Sequence, residues 1–417
     1  MKVEAVAEAN LVPSPGTPLV AADRKVLPAL CLGMFVALLT FVAPAPFFPA
    51  MARDLSVGVP WLGQVVAAML LVSAAIGLVA GPLADSYGHR RLILLGLVSA
   101  AICLFAFGLA PTFPVLLVGA LAGGLGNAAV LGPSLAVAGT HFAGAEARRA
   151  LGWATACMAG SAIVGVPVLT AIASFTSWRL AFIVAGAAVI GAVLVGAAWL
   201  PRDARSLAGR LRSEMLLAAY RPLLRHGPTL RLYGVAVLRA ICWFGLLTYF
   251  GAFLAQKLAL STGLVGVAYM LGGGGYFLGS VLSGGPLAHV PPRMLLIAGN
   301  VAMALLMGLA FSAILGPLGT VAMLPLAGFA GALGWVAVAA LLTADSPAGA
   351  GTTMTLHGSL FNLGAAAGGA IGGLLLAFAG YGALAIGLPI FGLASALLAW
   401  WPEDRVILSP VERTEQG

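Results

Sequence analysis

Twelve long apolar runs, separated by short polar interruptions, cover most of the chain. They lie at about residues 26–51, 61–80, 92–109, 113–137, 151–174, 180–200, 231–256, 261–284, 294–315, 317–343, 351–378 and 380–401. A helix needs about 20 apolar residues to cross the hydrocarbon core of a bilayer, so each run has the length of a membrane span. The runs are continuous and lack the alternation of a membrane β-barrel. The pattern predicts an all-α polytopic membrane protein with twelve transmembrane helices.

The polar segments divide these predicted helices into two halves of six. The first half comprises residues 26–200 and the second half residues 230–401. Six arginines crowd residues 201–229, with leucines and a methionine between them, and this spacing predicts a linker with an amphipathic surface helix. The polar ends, residues 1–25 and 402–417, are predicted to be tails, the first of them disordered. Pro44, Pro46 and Pro49 predict a kinked or broken helix at the outer end of the first run.

Composition excludes a soluble protein and charge distribution fixes an orientation. The chain is 61% hydrophobic and 8% charged, whereas soluble proteins carry about 25% charged residues. If both termini are cytoplasmic, 17 of the 21 basic residues fall on the cytoplasmic side, the exceptions being Arg53, Arg179, Lys257 and Arg239. This bias predicts an inner (plasma) membrane protein with both termini inside. The net charge of +8 then faces anionic lipid, which argues against a nucleic-acid partner.

A polar stretch between the second and third runs recurs in the second half. Gly81-Pro82-Leu83-Ala84-Asp85 is followed by Arg91, and Gly285-Pro286-Leu287-Ala288-His289 is followed by Arg293. The two copies lie at the same place in their halves, which predicts an internal repeat. Asp85 is expected to accept hydrogen bonds from Arg90 or Arg91 near a helix N-terminus. This expected contact of Asp85 is called the latch. Gly81 and Gly88 permit the close approach of two helices that it needs.

The stretch of residues 81–91 resembles the loop signature of the major facilitator superfamily, Gly-x-Leu-Ala-Asp-Arg-x-Gly-Arg-Lys. The positions that fit are Gly81, Leu83, Asp85, Gly88 and Arg90, while Ser86 and His89 stand where basic residues are usual. The resemblance implies two parallel six-helix halves that transport by alternating access. It also implies that Asp85 latches the outward-facing state against span eleven, and that spans one, four, seven and ten line the cavity.

A finer resemblance is to the twelve-span drug:proton antiporter branch, which includes arabinose-efflux permeases. Gly165-Val166-Pro167 in the fifth run is similar to the exporter motif of that branch, and Trp178-Arg179 with Phe182 is similar to the start of its sixth helix. Ala120 stands where the branch carries an arginine in span four. No Asp or Glu falls inside a predicted span, so the sequence identifies no proton-carrying residue.

Polar and aromatic residues in the runs are candidates for the substrate path: Asn127, Arg239, Trp243, Tyr249, Trp335 and Asn362. Arg239 has two interpretations. It holds an anionic or carbonyl-bearing substrate, because a buried charge is costly without a partner, or its side chain reaches back to the membrane surface. For the asparagines, hydrogen bonding between helices is the alternative.

These observations predict a secondary active transporter that exports small amphipathic molecules or drugs and acts as a monomer. An ion gradient, with protons as the candidate ion, is expected to drive it. The chain lacks a Gly-x-x-x-x-Gly-Lys-Ser/Thr phosphate-binding motif, and the runs hold no cluster of ionisable residues typical of an enzyme. No metal or other cofactor is predicted. The alternatives are transport of a sugar, organic acid or other metabolite in either direction, and a transport-inactive sensor or scaffold.

Overall fold

The computed structural model describes residues 23–142, 144–202, 213–344 and 346–400. Membrane-crossing units are named span one to span twelve in chain order. The first half contains span one (helix Asp23–Val42, 3-10 turn Ala45–Phe47 and helix Phe48–Asp54), span two (Val59–Tyr87), span three (His89–Leu109), span four (Phe113–His141), span five (helix Gly144–Gly160, π-helical turn Ser161–Gly165 and helix Val166–Phe175) and span six (Trp178–Trp199).

The second half begins after a linker helix, Ser213–Arg225. It contains span seven (Gly227–Lys257), span eight (Thr262–Gly284), span nine (Pro292–Ser312), span ten (Gly316–Ala344) and the helical segment Ala350–Trp400. That last segment has 51 residues and breaks at Gly380, where φ is 71° and ψ is −169°. A Cβ built on Gly387 would lie 2.7 Å from Leu375 Cδ1, so the chain reverses direction at Gly380. Span eleven is therefore residues 350–379 and span twelve residues 381–400.

The twelve predicted spans are confirmed, and all the regular structure in the described ranges is helical. The alternating direction of the helices gives the molecule two faces. The loop face carries residues 81–91, the turn at 285–291 and the linker helix. The opposite face carries the turns at residues 55–58, 110–112, 176–177 and 258–261. Residues 1–22 and 401–417 lie outside the described ranges, so the predicted tails stay predictions.

The predicted break in span one is confirmed. Helix Asp23–Val42 ends one residue before Ala43 and Pro44, and a 3-10 turn with Pro46 follows before the helix resumes at Phe48. Proline supplies no backbone N–H for the helical ladder, which explains why the α-helix stops here. The break places the end of span one against span seven, where a Cβ on Gly251 would lie 3.1 Å from Pro46 Cα.

The 81–91 stretch is much less of a loop than its polarity predicts. Span two continues as helix through Tyr87, and span three begins at His89. Only Gly88 leaves the helical conformation, with φ 99° and ψ 136°. A positive φ is strained for a residue with a Cβ, so a single glycine performs the whole reversal. Helical hydrogen bonding therefore extends past the end of the apolar run, and most of the polar stretch is helix.

The linker helix is docked on the second half and also touches the first. Leu223 is buried in a cluster with Tyr233 and Leu296. The Tyr220 hydroxyl donates to the Leu78 carbonyl of span two at 2.9 Å. Burial raises the pKa of this hydroxyl. Residues 203–212 lie outside the described ranges, so the first part of the predicted linker stays a prediction.

Candidate functional site

The two halves meet along two pairs of helices, the first of which is spans two and eleven. A Cβ on Gly369 of span eleven would lie 3.3 Å from Ala67 Cβ and 3.4 Å from the Gly63 carbonyl oxygen of span two. The Gln64 side chain donates to the Ala370 carbonyl across the same boundary at 3.1 Å. Small residues thus let the two helices approach closely, as is typical of membrane helix pairs.

Spans five and eight form the second junction. A Cβ on Gly273 of span eight would lie 3.0 Å from Ala162 Cβ, inside the π-helical turn of span five. Nearer the opposite face, a Cβ on Gly266 would collide with the side chain of Thr170. The junctions thus extend from the opposite face to the middle of the spans, where a Cβ on Gly77 would lie 2.8 Å from Ser359 Oγ. In the described ranges, span four packs on spans one, two, three and five, and span ten on spans seven, eight, nine and eleven.

The Gly165-Val166-Pro167 motif coincides with an irregularity in span five. The π-helical turn Ser161–Gly165 comes directly before it, and Pro167 opens the following α-helix. A Cβ on Gly165 would lie 2.6 Å from Leu39 Cδ1 and 3.0 Å from Phe35 Cζ of span one. The motif thus combines a widened helical turn with close packing on span one, at the junction with span eight.

The predicted path residues Asn127 and Asn362 are brought together by Ser73, which the sequence did not single out. The Ser73 hydroxyl donates to Asn127 Oδ1 at 2.9 Å and accepts from Asn362 Nδ2 at 3.1 Å. Asn127 Nδ2 also donates to the Ala37 carbonyl at 3.3 Å. This chain of bonds links spans one, two, four and eleven, and so crosses between the halves.

The residues of the 81–91 stretch occupy different surroundings. Gly81 is partly exposed and has open space around it, while Leu83 packs on Ala84, Leu92 and Ala129. Arg90 donates from Nη2 to the Ala197 carbonyl at the end of span six, at 2.5 Å. Arg91 is exposed. The side chain of Asp85 lies outside the described part of the structure, so the latch stays a prediction.

The second copy of the repeat holds an arginine in the same role as Arg90. Arg293 donates from Nε to the Ala399 carbonyl at 2.9 Å and from Nη2 to the Trp400 carbonyl at 3.4 Å, at the end of span twelve. Both arginines lie six residues before a glycine, Gly96 or Gly299, that packs on the next helix. The sequence comparison paired Arg91 with Arg293, and the structure pairs Arg90 with it instead. A positive side chain at a helix C-terminus is stabilising in either half.

Trp178 and Arg179 connect the ends of three helices at the opposite face of the first half. Trp178 Nε1 donates to Asp54 Oδ2 at 2.7 Å, which ties span six to the end of span one. Arg179 donates to the Ala110 carbonyl at 2.7 Å, after the last residue of span three, and lies 4.5 Å from the centre of the Trp178 ring. The motif that begins span six thus joins three helix ends within one half.

Arg239 lies buried within the second half. Its side chain is 2% exposed, so the interpretation that it reaches the membrane surface does not hold. Nη2 donates to the Gly331 carbonyl at 2.5 Å, and Nε donates to Asn300 Oδ1 at 3.4 Å. Asn300 in turn donates to Ser395 at 2.8 Å. A Cβ on Gly334 would lie 3.3 Å from Arg239 Nη2, so this glycine makes room for the guanidinium.

Aromatic rings surround this arginine. The Trp335 ring centre lies 5.9 Å from Arg239 Cζ, and the same ring lies 5.0 Å from the His357 ring and 4.7 Å from that of Phe361. Trp243 stacks on Tyr276 at 5.9 Å. Three predicted path residues, Arg239, Trp243 and Trp335, thus share one region. Tyr249 lies elsewhere, where its hydroxyl donates to the Gly369 carbonyl at 2.6 Å.

His357 also belongs to this group, although it is not among the predicted path residues. It is fully buried, and neither of its ring nitrogens has a hydrogen-bond partner in the described part of the protein. Buried polar atoms are nearly always hydrogen-bonded. Its place in the apolar run beginning near residue 351 was visible in the sequence, but its position beside Trp335 depends on how spans ten and eleven face each other.

A bundle of twelve apolar helices in two halves, with a repeated helix–turn–helix in each, defines a multi-pass membrane transporter. The family model for the Major Facilitator Superfamily matches residues 30–348. The chain belongs to this superfamily, as the 81–91 stretch indicated. It superimposes on the crystal structure of the nucleoside transporter NupG with a TM-score of 0.72 at 15% identity, covering 90% of this chain and 98% of that one. That likeness concerns the fold alone.

Two curated relatives are similar in sequence. The chain is 27% identical over 240 residues to the uncharacterized MFS-type transporter YceJ of Bacillus subtilis (strain 168), covering 57% of this chain and 60% of that protein. It is 35% identical over 154 residues to Multidrug resistance protein Stp of Mycobacterium tuberculosis (strain CDC 1551 / Oshkosh), covering 37% and 29%. The chain thus spans less than two thirds of the length of either relative.

Proposed function

We propose that this protein is a secondary exporter of small amphipathic molecules that works by alternating access. The observation that carries the proposal is the π-helical turn Ser161–Gly165 with Pro167, placed where span five meets both span one and span eight. Widened helical turns occur frequently at functional sites and allow a helix to bend. A helix that must tilt between two packing arrangements needs such a place, and here it coincides with the exporter-type motif.

The proposed orientation puts the loop face in the cytoplasm of a cell with an inner (plasma) membrane. The bias of basic residues toward that face supports it. The halves are joined at the opposite face, through Pro46 against Gly251 and Thr170 against Gly266. In this orientation the structure is closed toward the outside. Transport then requires the two junctions to part while the loop face closes.

The proposed driving force is an ion gradient, with protons as the first candidate, and the proposed functional unit is a monomer. The missing phosphate-binding motif favours an ion gradient over ATP hydrolysis. The name of the Mycobacterium tuberculosis relative, Multidrug resistance protein Stp, supports drug-like amphipathic molecules as substrates. The aromatic residues around Trp335 are compatible with such compounds because aromatic rings bury large apolar surfaces.

Flux in everted membrane vesicles tests this function. The protein should accumulate a neutral fluorescent amphipathic dye such as Nile red in energised everted vesicles, and a proton uncoupler should abolish the accumulation. Gly165→Ala should lower the initial rate several-fold, because its Cβ would collide with Leu39. Gly152→Ala is the matched control in the same span, since its Cβ would meet open space. Accumulation of a panel of such dyes in right-side-out vesicles only would show import and overturn the proposal.

A further inference from the structure

We propose that the region of Arg239, His357 and Trp335 binds the carboxylate of an aromatic organic anion. The inference rests on the proposed transport function and names its substrate class. The first observation is the depth of Arg239 in the membrane. Arg239 lies twelve residues after Gly227 at the start of span seven, which is about 18 Å along the helix. Secondary transporters bind substrates near the middle of the bilayer, and this arginine is at that level.

Among the described residues, Arg239 forms no ion pair with a carboxylate. The sequence contains no Asp or Glu between Glu214 and Asp345, and none between Asp345 and Glu403. Ala344, the last residue of span ten, lies thirteen residues after Gly331, about 20 Å along the helix, and Asp345 follows it in the sequence. In the first half, Asp54 and Glu146 lie near the ends of their helices, and Asp85 is two residues from the end of span two. In the part of the chain that the structure describes, no carboxylate therefore lies at the depth of this guanidinium.

The observed hydrogen bonds satisfy part of the guanidinium but leave its charge unbalanced. The Gly331 carbonyl and the Asn300 amide oxygen are both neutral acceptors, and a guanidinium offers five N–H donors in a planar fork. That fork matches a carboxylate, with which arginine forms paired hydrogen bonds. A monovalent anion beside Arg239 would neutralise a charge that is expensive inside a membrane.

His357 supplies the second, independent indication of a ligand. Both of its ring nitrogens are buried without a partner among the described residues, and its ring lies beside Trp335, as does the guanidinium of Arg239. A carboxylate between the two would accept from Arg239 and from the N–H of a neutral His357. One ligand group would then satisfy both unusual features of this region.

The aromatic surroundings define the remainder of the ligand. Trp335 is partly exposed, in contrast to Arg239 and His357, and so marks the side of approach. Phe361 and Trp243 complete an apolar, aromatic surface near it. An aromatic ring attached to the carboxylate would stack on these side chains. A cationic drug of the same size would be repelled by Arg239.

Binding of matched compounds to the purified full-length protein tests the proposal. Radiolabelled benzoate and 2-naphthoate are the probes, and the matching amides and amines are competitors that differ in charge but little in shape. The acids should bind saturably. The amides and amines should bind roughly ten- to hundred-fold more weakly, as expected for loss of hydrogen bonds between charged groups. Equal binding of acid and amide, or no saturable binding of either acid, overturns the proposal.

Variants assign the effect to the site. Arg239→Gln should remove the preference for acid over amide, and Arg239→Lys should keep it with weaker binding. His357→Phe should weaken benzoate binding, and His357→Gln should restore part of it. Arg53→Gln removes the same charge from an exposed position and should change nothing. An unchanged acid preference in folded Arg239→Gln overturns the assignment.

The comparison of acids with amides and amines uses the wild-type protein alone, so it does not depend on whether a variant folds. Acid-selective binding without flux in vesicles would refute the exporter and leave this site standing. Flux of neutral dyes without saturable binding of the acids would refute this site and leave the exporter standing.

Discussion

Replacing Gly266 by alanine should open the opposite face of the protein. The new Cβ would lie 2.9 Å from Thr170 Cβ and 3.1 Å from Thr170 Cγ2, with Oγ1 closer still. Carbon atoms prefer separations of about 3.5–4.0 Å. All three heavy atoms of the threonine side chain are too close, so no rotation about its χ1 bond relieves the overlap. Span five or span eight must move by several tenths of an ångström or the junction must separate.

The size of the effect follows from the cost of overpacking. Inserting a methyl group into a packed interior typically costs about 1–3 kcal/mol. The helix-forming advantage of alanine over glycine applies to both conformations and cancels. The overlap exists only while the halves are joined at the opposite face. The equilibrium between closed and open forms should therefore shift by about 5- to 150-fold toward the open form.

Distances between spin labels measure this shift. Labels introduced through Arg53→Cys and Lys257→Cys, in a background without the four native cysteines, would report the separation of the halves at the opposite face, where both residues are exposed. Gly266→Ala should populate longer distances. Gly274→Ala, in the same span but facing open space, should not. Adding Thr170→Gly to Gly266→Ala should restore the short distances. An unchanged distribution in folded Gly266→Ala would refute the reasoning.

Three further predictions concern hydrogen bonds. Ser73→Ala should lower the free energy of unfolding by about 1–3 kcal/mol, because it leaves groups of Asn127 and Asn362 unpaired; Thr155→Ala, an exposed hydroxyl, is the control, and equal thermal stability of the two variants would contradict the network. Arg90→Gln should lower the free energy of unfolding by about 1 kcal/mol, whereas Arg91→Gln, at an exposed position, should leave it unchanged. A larger loss for Arg91→Gln would support the pairing of Arg91 with Arg293 instead. Tyr220→Phe should speed proteolysis of the linker helix, because the bond to Leu78 is lost. Burial raises the pKa of the Tyr220 hydroxyl, so the neutral hydroxyl donates this bond below about pH 10, the usual pKa of tyrosine. The wild-type protein should become as sensitive to protease as Tyr220→Phe only when the pH rises beyond that value. A constant difference up to the highest pH would contradict the assignment.

The sequence predicted where the spans lie, but not which face of each span packs against the rest of the protein. Long apolar runs and prolines in span one predicted the helices and the break near Pro44, because these depend on local chemistry. In a membrane, however, lipid and protein interior are both apolar. The position of a leucine therefore does not reveal which side of a helix packs inward, and residue pairs such as Trp335 with His357 could not be anticipated.

The repeat illustrates the same limit at a finer scale. Sequence letters aligned Arg91 with Arg293, because both precede an apolar run. Gly88 alone reverses the first copy, whereas residues 285–290 form the turn of the second, so the two copies do not align residue for residue. The helix ends that the two arginines contact, Ala197 and Ala399, show that Arg90 is the counterpart. Polar clusters such as Ser73 with the two asparagines likewise require the packing between halves.

Arg239 also gives the protein a permanent charge within the electric field of the membrane. Moving one elementary charge through the full potential changes the free energy by about 2.3 kcal/mol per 100 mV. An empty carrier would feel that force on the guanidinium whenever span seven is displaced along the field. A carrier loaded with a monovalent anion would be neutral at the same place. Voltage would then act on the return of the empty protein and not on the loaded step.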